Sequence, residues 1–211
     1  FYIQWHITDY CNLRCRHCYQ DKFTPEGDLT LEGLRQVFEN LTRAMRFWKA
    51  KLKLIFTGGE PLLKEALRHL LKWCEDDEHV FETGIITNGT IIPEDGYLFS
   101  LHRTHKKFKT LFISLDGVSA HVNDFLRGKG TFEKVTHNIK ILVEEGVPVV
   151  LMFTLLKHNL EEAELLHEFA RSLNVNGYII ERFIPLGRGR RLRDQVVSGE
   201  ELRNLYRKLF K

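Results

Sequence analysis

Three cysteines within eight residues, Cys11, Cys15 and Cys18, stand at the spacing C-x3-C-x2-C. Three thiolates in so short a loop can converge on one metal centre. A structural zinc site normally takes four ligands, in pairs separated by a wide gap. No second pair follows here, and His17 is too close to Cys18 in sequence to be a comfortable fourth ligand. A [4Fe–4S] cluster is usually held by four cysteines. With three, one iron is left open, and an open iron can bind a substrate or cofactor. A zinc-stabilised loop and three incidental thiols are the competing readings of these residues taken alone. The fourth cysteine, Cys74, shares an apolar helical face with Leu70 and Leu71, where a free thiol packs like a small hydrophobe.

The elements that must position this loop follow from hydrophobic patterning. Short β-rich runs fall at 2–8, 53–57, 82–87, 111–115, 147–155 and 177–184. Helical patterns lie between them near 30–48, 62–76, 94–104, 131–145 and 159–173, with another beginning near 198. Leu31, Leu34, Val37, Phe38 and Leu41 recur at helical spacing, as do Leu63, Leu67, Leu70, Leu71 and Cys74. Six strands, each followed by a helical stretch or long loop, predict repeated βα units and a parallel sheet. Right-handed crossovers then permit an open doubly wound sheet or a partial barrel. The cysteine loop, Gly58–Pro61, Thr87–Gly89, Ser114–Gly117 and Pro185–Gly189 all sit where predicted strands end. Ligands of parallel α/β folds collect at those ends.

The 211 residues carry a net charge of +3, a mild balance that does not point to nucleic acid. The arginines at 182, 188, 190, 191 and 193 form a denser basic group that can face an anionic substrate, a peptide leader or solvent. The run His102–Lys109 reads as a solvated helix end and loop. No apolar run approaches the roughly 20 residues that cross a bilayer, and the first residues lack the pattern of a secretory signal. Clustered rather than spread cysteines favour a reducing cytoplasm over a disulfide framework. One domain over residues 1–211 is the economical expectation. Phe1 suggests a trimmed start, and the final residues read as a helix still running at Lys211.

The stretch CNLRCRHCY resembles the signature loop of the radical S-adenosylmethionine (SAM) superfamily, with His17 standing where an aromatic residue is typical. TGGEPLL resembles the family's Gly-Gly-Glu motif at Gly58, Gly59 and Glu60. TNG at Thr87–Gly89, SLDG at Ser114–Gly117 and HVNDFLRGKGTFEKV at His121–Val135 resemble its third to fifth βα units. RFIPLGRGR at Arg182–Arg190 resembles the segment after the sixth strand. The likeness spans about residues 3–190 in the right order. It implies a partial (β/α)6 TIM-like barrel, an oxygen-sensitive [4Fe–4S] cluster on Cys11, Cys15 and Cys18, and SAM on the open iron. One-electron cleavage then gives methionine and a 5′-deoxyadenosyl radical that abstracts hydrogen.

The same resemblance implies the remaining roles. Gly58 and Gly59 allow close backbone approach to a ligand, and Glu60 with neighbouring carbonyls receives the cofactor's ammonium group. Ser114 takes the ribose hydroxyls, with Asn88 or Asp116 as helpers. Arg127 forks onto the methionine carboxylate, and the Pro185–Gly187 turn offers backbone hydrogen bonds to adenine. SLDG, HVNDFLRG and RFIPLGRGR are most similar to the branch with a C-terminal extension that binds auxiliary clusters (the SPASM/twitch type), whose members mature peptides or modify cofactor precursors. No cysteine follows Cys74, so that extension is expected to be cut off, lost or dispensable. The expected partners are a ferredoxin- or flavodoxin-type electron donor and a peptide or small-molecule substrate. A glycyl-radical activase and a non-catalytic iron–sulfur carrier or sensor are the alternatives. The carrier leaves the Gly-Gly-Glu and Ser114 stretches idle.

Overall fold

A computed structural model describes residues 1–209. Its centre is one sheet of six parallel strands in sequential order: β1 (Tyr2–His6), β2 (Leu52–Thr57), β3 (Val80–Thr87), β4 (Phe108–Ser114), β5 (Val149–Leu155) and β6 (Gly177–Arg182). Every neighbouring pair is parallel. No pairing joins β6 back to β1 among the described residues, so the sheet curls into the expected half-barrel without closing. β2 and β5 are apolar along nearly their whole length because both faces are covered. At Gly84 in β3 the neighbouring strands leave no room for a side chain. A Cβ there would lie 2.8 Å from Thr110 O and 2.9 Å from Ile55 Cδ1.

Seven α-helices accompany the strands: α1 (Leu31–Phe47), α2 (Ala66–Asp76), α3 (Tyr97–Thr104), α4 (Ala120–Arg127), α5 (Thr131–Glu144), α6 (Leu166–Ser172) and α7 (Gly199–Leu209). The Thr30 hydroxyl caps α1 by accepting from Gly33 N. Helix α1 turns Leu34, Phe38 and Met45 inward, while α2 buries Leu67, Leu70, Leu71 and Cys74. Cys74 is thus a core residue, and burial pushes its thiol pKa well above the ordinary value. Among the described residues no helix is long and apolar enough to cross a membrane.

Three sequence expectations change. The pattern at 159–173 is not one helix but a 3-10 turn at Glu162–Glu164 followed by α6. The stretch His102–Lys109 is not only a solvated end. Phe108 is buried and opens β4, while Lys107 Nζ donates to Cys74 O (3.0 Å) and Asp77 O (2.5 Å). Helix α4 has no counterpart among the predicted helices, because its buried face carries the polar Asn123 and Arg127 beside Leu126 and so shows no apolar stripe. A helix continuing to Lys211 falls partly outside the described residues.

Candidate active site

The carboxyl ends of the strands surround a cavity of about 410 Å³. Its wall includes Cys11, Cys15 and Cys18, the Gly58–Gly59 turn, Asn88, Ser114 and Arg127. Gln4, His17, Tyr19, Thr154 and Glu181 are among its other polar residues. The topology brings these groups together because each strand of a parallel barrel delivers the residue at its end to the same mouth.

The cysteine loop leaves β1 without regular structure and is tied down by its neighbours. Arg16 N donates to Leu126 O at the end of α4 (2.8 Å). Leu13 N points at Cys11 Sγ and Gln20 N at Cys18 Sγ, both at 3.4 Å, and Asn88 Nδ2 lies 3.9 Å from Cys11 Sγ. Burial raises the pKa of all three thiols, and these donors oppose the rise at Cys11 and Cys18. Amide N–H groups aimed at sulfur favour thiolate, the form that binds iron. No three His, Cys, Asp or Glu side chains among the described residues gather tightly enough to hold a single ion. All three thiols line the cavity, and soft thiolate donors of this kind hold either zinc or an iron–sulfur cluster.

The Gly-Gly-Glu turn packs on that loop. Gly59 N donates to Thr8 O (2.7 Å) and Glu60 N to Tyr10 O (2.8 Å). A Cβ on Gly58, whose φ is +149°, would lie 2.4 Å from Thr8 O, and one on Gly59 would lie 2.3 Å from Tyr10 O. The missing side chains therefore make room first for the backbone that enters the cysteine loop. Glu60 is buried behind the wall, where its carboxylate accepts from Leu62 N (3.1 Å), Thr87 Oγ1 (2.7 Å) and Asn88 N (2.8 Å). Burial raises its pKa to about 6 against the pull of these donors. Folding therefore favours the protonated acid, so its contribution is fully present below pH ~4.5 and is lost as pH rises through about 6. Relative to Glu60→Gln, the wild type should lose about 2 kcal/mol of unfolding free energy across that window. Urea titrations of both proteins at pH 4 and pH 7 measure this, and a pH-independent difference would rule it out.

The other expected positions divide. Asn88 is on the wall, with its amide held by Asn12 Oδ1 (2.9 Å), Thr90 N (2.9 Å) and Thr90 Oγ1 (2.6 Å). Ser114 ends β4 and faces the cavity. Asp116 does not reach the cavity. It is fully buried, with Oδ2 at 2.6 Å from Arg127 Nε and 3.1 Å from His17 Nε2, and Oδ1 accepting from Thr154 N (2.7 Å). Burial opposes its ionisation, yet the Arg127 guanidinium and His17 hold it well below the usual carboxylate range. Arg127 is thus aimed from behind by Asp116 through Nε, and its side chain lines the cavity beside Cys15 and Cys18. Gly187 lies outside the cavity wall. Its φ is +50°, and a Cβ would strike Tyr19 O at 2.2 Å, so its turn clamps the cysteine loop while Leu186 faces the cavity.

Sequence reasoning missed His17 as a partner of Asp116, and missed Gln4, Tyr19, Thr154 and Glu181 as wall residues. Polar side chains interrupting the apolar runs of β1, β5 and β6 were the available signal. Tyr19 shares its hydroxyl with His6 Nδ1 (3.0 Å), and burial raises its pKa to about 12. Burial, then the charge of Asp116, raises the pKa of Glu181.

Comparison with known proteins adds a second line. The family model described as the radical SAM superfamily matches residues 5–170. The chain is 29% identical over 190 residues to an AdoMet-dependent heme synthase of Methanosarcina barkeri, covering 89% of this chain and 52% of that protein. It is also 29% identical over 188 residues to the subtilosin biosynthesis protein AlbA of Bacillus subtilis, covering 87% of this chain and 40% of AlbA. The chain thus spans about half the length of the curated relatives it matches. Streptococcus suis SuiB bound to S-adenosylmethionine has the same fold, with a TM-score of 0.78 at 17% identity over 99% of this chain and 46% of SuiB.

Proposed function

The chain belongs to the radical SAM superfamily, and from that premise we propose that Cys11, Cys15 and Cys18 hold a [4Fe–4S] cluster whose fourth iron receives SAM. The observation that carries this reading is the position of three thiols on the wall of a cavity that also presents Ser114, Asn88 and Arg127, with amide donors aimed at two of them, Cys11 and Cys18. When bound, the cluster supplies the electron that splits the sulfonium into methionine and a 5′-deoxyadenosyl radical. The chain's own residues bind and orient. Arg127, fixed through Nε by Asp116, offers its fork to the methionine carboxylate, and the Gly58–Gly59 turn lies across the cavity. Ser114 meets the ribose hydroxyls at the end of β4. Glu60 acts from behind, holding Asn88 and the turn in register. Phe183, Ile184 and Leu186, which follow β6, give the cavity an apolar side.

Hydrogen abstraction from a peptide or a cofactor precursor is the substrate class we favour. The relatives support it, since they include a heme synthase and a bacteriocin biosynthesis protein, and SuiB has also been solved with its precursor peptide SuiA. The reaction test is direct. The cluster is reconstituted without oxygen, dithionite and SAM are added, and 5′-deoxyadenosine is measured. Formation of that nucleoside is expected. None would be produced by a bare iron–sulfur carrier, and that result would refute the proposal.

A further inference from the structure

Two arginines, Arg14 and Arg188, hold the backbone of the cysteine loop. Arg14 Nη1 donates to Cys11 O (2.6 Å) and Leu13 O (2.8 Å). Arg188 donates through Nε to Cys15 O and through Nη2 to Arg14 O, both at 3.3 Å. Both guanidinium groups lie over the Phe23 ring, at 4.5 and 5.8 Å. The segment Gly187–Gln195 is pinned to the same loop by Gly189 N donating to Cys18 O (2.9 Å). Within it, Leu192 packs on Leu126, Leu156 and Phe183 together with Phe125, and Arg16 lies 4.2 Å over the Phe125 ring. Arg14, Arg16 and Arg188 thus hold to the loop and its neighbours, and Arg190, Arg191 and Arg193 are exposed in the segment pinned to it.

Two facts separate these arginines from ordinary solvated charge. The arginines that form ion pairs among the described residues are Arg35, Arg68, Arg103, Arg127 and Arg171, none of the six. The single acid of the segment, Asp194, is bonded to Gln195. Moreover, none of the six lines the cavity, whereas Arg127 and Arg182 do. The charge lies outside the cavity wall, and two of its members donate directly to the carbonyls of Cys11 and Cys15.

We infer that this arginine rim is the docking surface for a small acidic one-electron carrier protein of the flavodoxin or ferredoxin class. The inference rests on the reading of the three thiols as cluster ligands. Electron tunnelling falls off steeply with distance, so a carrier must dock against the loop that bears the thiolates. An unpaired positive surface there steers an acidic partner and sets its orientation. In the transfer, one electron leaves the flavin hydroquinone, which becomes the semiquinone, and the oxidised cluster gains it. No covalent bond changes at the interface.

The test is the charge reversal R190E/R191E/R193E in the cluster-loaded protein, at exposed positions outside the cofactor machinery. Titration calorimetry against flavodoxin should show binding weakened roughly tenfold or more at low salt. Stopped-flow reduction of the cluster by flavodoxin hydroquinone should slow in parallel, while reduction by dithionite keeps its wild-type rate. Wild-type binding should weaken as salt rises from ~20 mM to ~300 mM, where screening shortens to several ångströms. Unchanged flavodoxin affinity in the variant, or wild-type affinity indifferent to salt, overturns the docking surface. Dithionite reduction slowed to the same extent also overturns it, because the charge would then be acting on the cluster. Wild-type protein that makes no 5′-deoxyadenosine with dithionite refutes the cluster reading instead, so the two failures are distinguishable.

Discussion

Cys15→Ala abolishes assembly of the intact cluster and with it all cleavage of SAM. Cys15 is the middle thiol of the three, placed on the cavity wall beside Arg127, and burial raises its pKa. Removing it leaves two thiols, too few to keep a cluster whose remaining corner must stay open to the cofactor. Iron and sulfide content after anaerobic reconstitution, together with 5′-deoxyadenosine formation, should fall to background. Cys74→Ala is the matched control. That thiol is packed in the core between α2 and the sheet, so its loss should lower stability while leaving iron binding intact. Full activity in Cys15→Ala would show that the ligand assignment is wrong.

Asp116→Ala should cost about 3–5 kcal/mol of unfolding free energy, because it leaves the buried Arg127 guanidinium without its counter-charge. It also strips Thr154 N of its acceptor. Urea unfolding of the cluster-free protein measures the loss. The double variant D116A/R127M, which removes both charges, should recover much of it, since an apolar replacement of a buried pair is often close to neutral. SAM binding should still be lost in the double variant if Arg127 takes the carboxylate. Loss under 1 kcal/mol in Asp116→Ala would show that this pair does not hold the wall together.

Most of the fold was legible because each strand is an apolar run at βα spacing. The edges were less so, for local reasons. β3 begins at Val80, two residues before its pattern, because Val80 pairs with Leu52. β4 begins at Phe108, inside a charged run that conceals it, because Phe108 pairs with Thr83. Helix α3 starts at Tyr97 rather than 94, since Gly96 is left-handed and Asp95 Oδ1 accepts from Tyr97 N (3.1 Å). At the site, the cysteine spacing and the strand-end positions were legible from the residues themselves, whereas the glycines and Ser114 were named from the family resemblance. The placement of Glu60 and Asp116 behind the wall was legible from neither. Whether a carboxylate faces a cavity or anchors a neighbour depends on which donors the tertiary fold brings to it. For Asp116 those donors come from α4, a helix whose buried face carries Asn123 and Arg127 rather than an apolar stripe, and from the loop residue His17.

The seam between the first and last strands carries no ladder of hydrogen bonds among the described residues. In a closed barrel the strand number and stagger fix the bore. Here the gap can widen or narrow by a small change in twist without breaking any backbone bond. Gln4 and Glu181, one on each lip, would travel with it. A sheet left open in this way is free of the constraint that closure places on a barrel's bore.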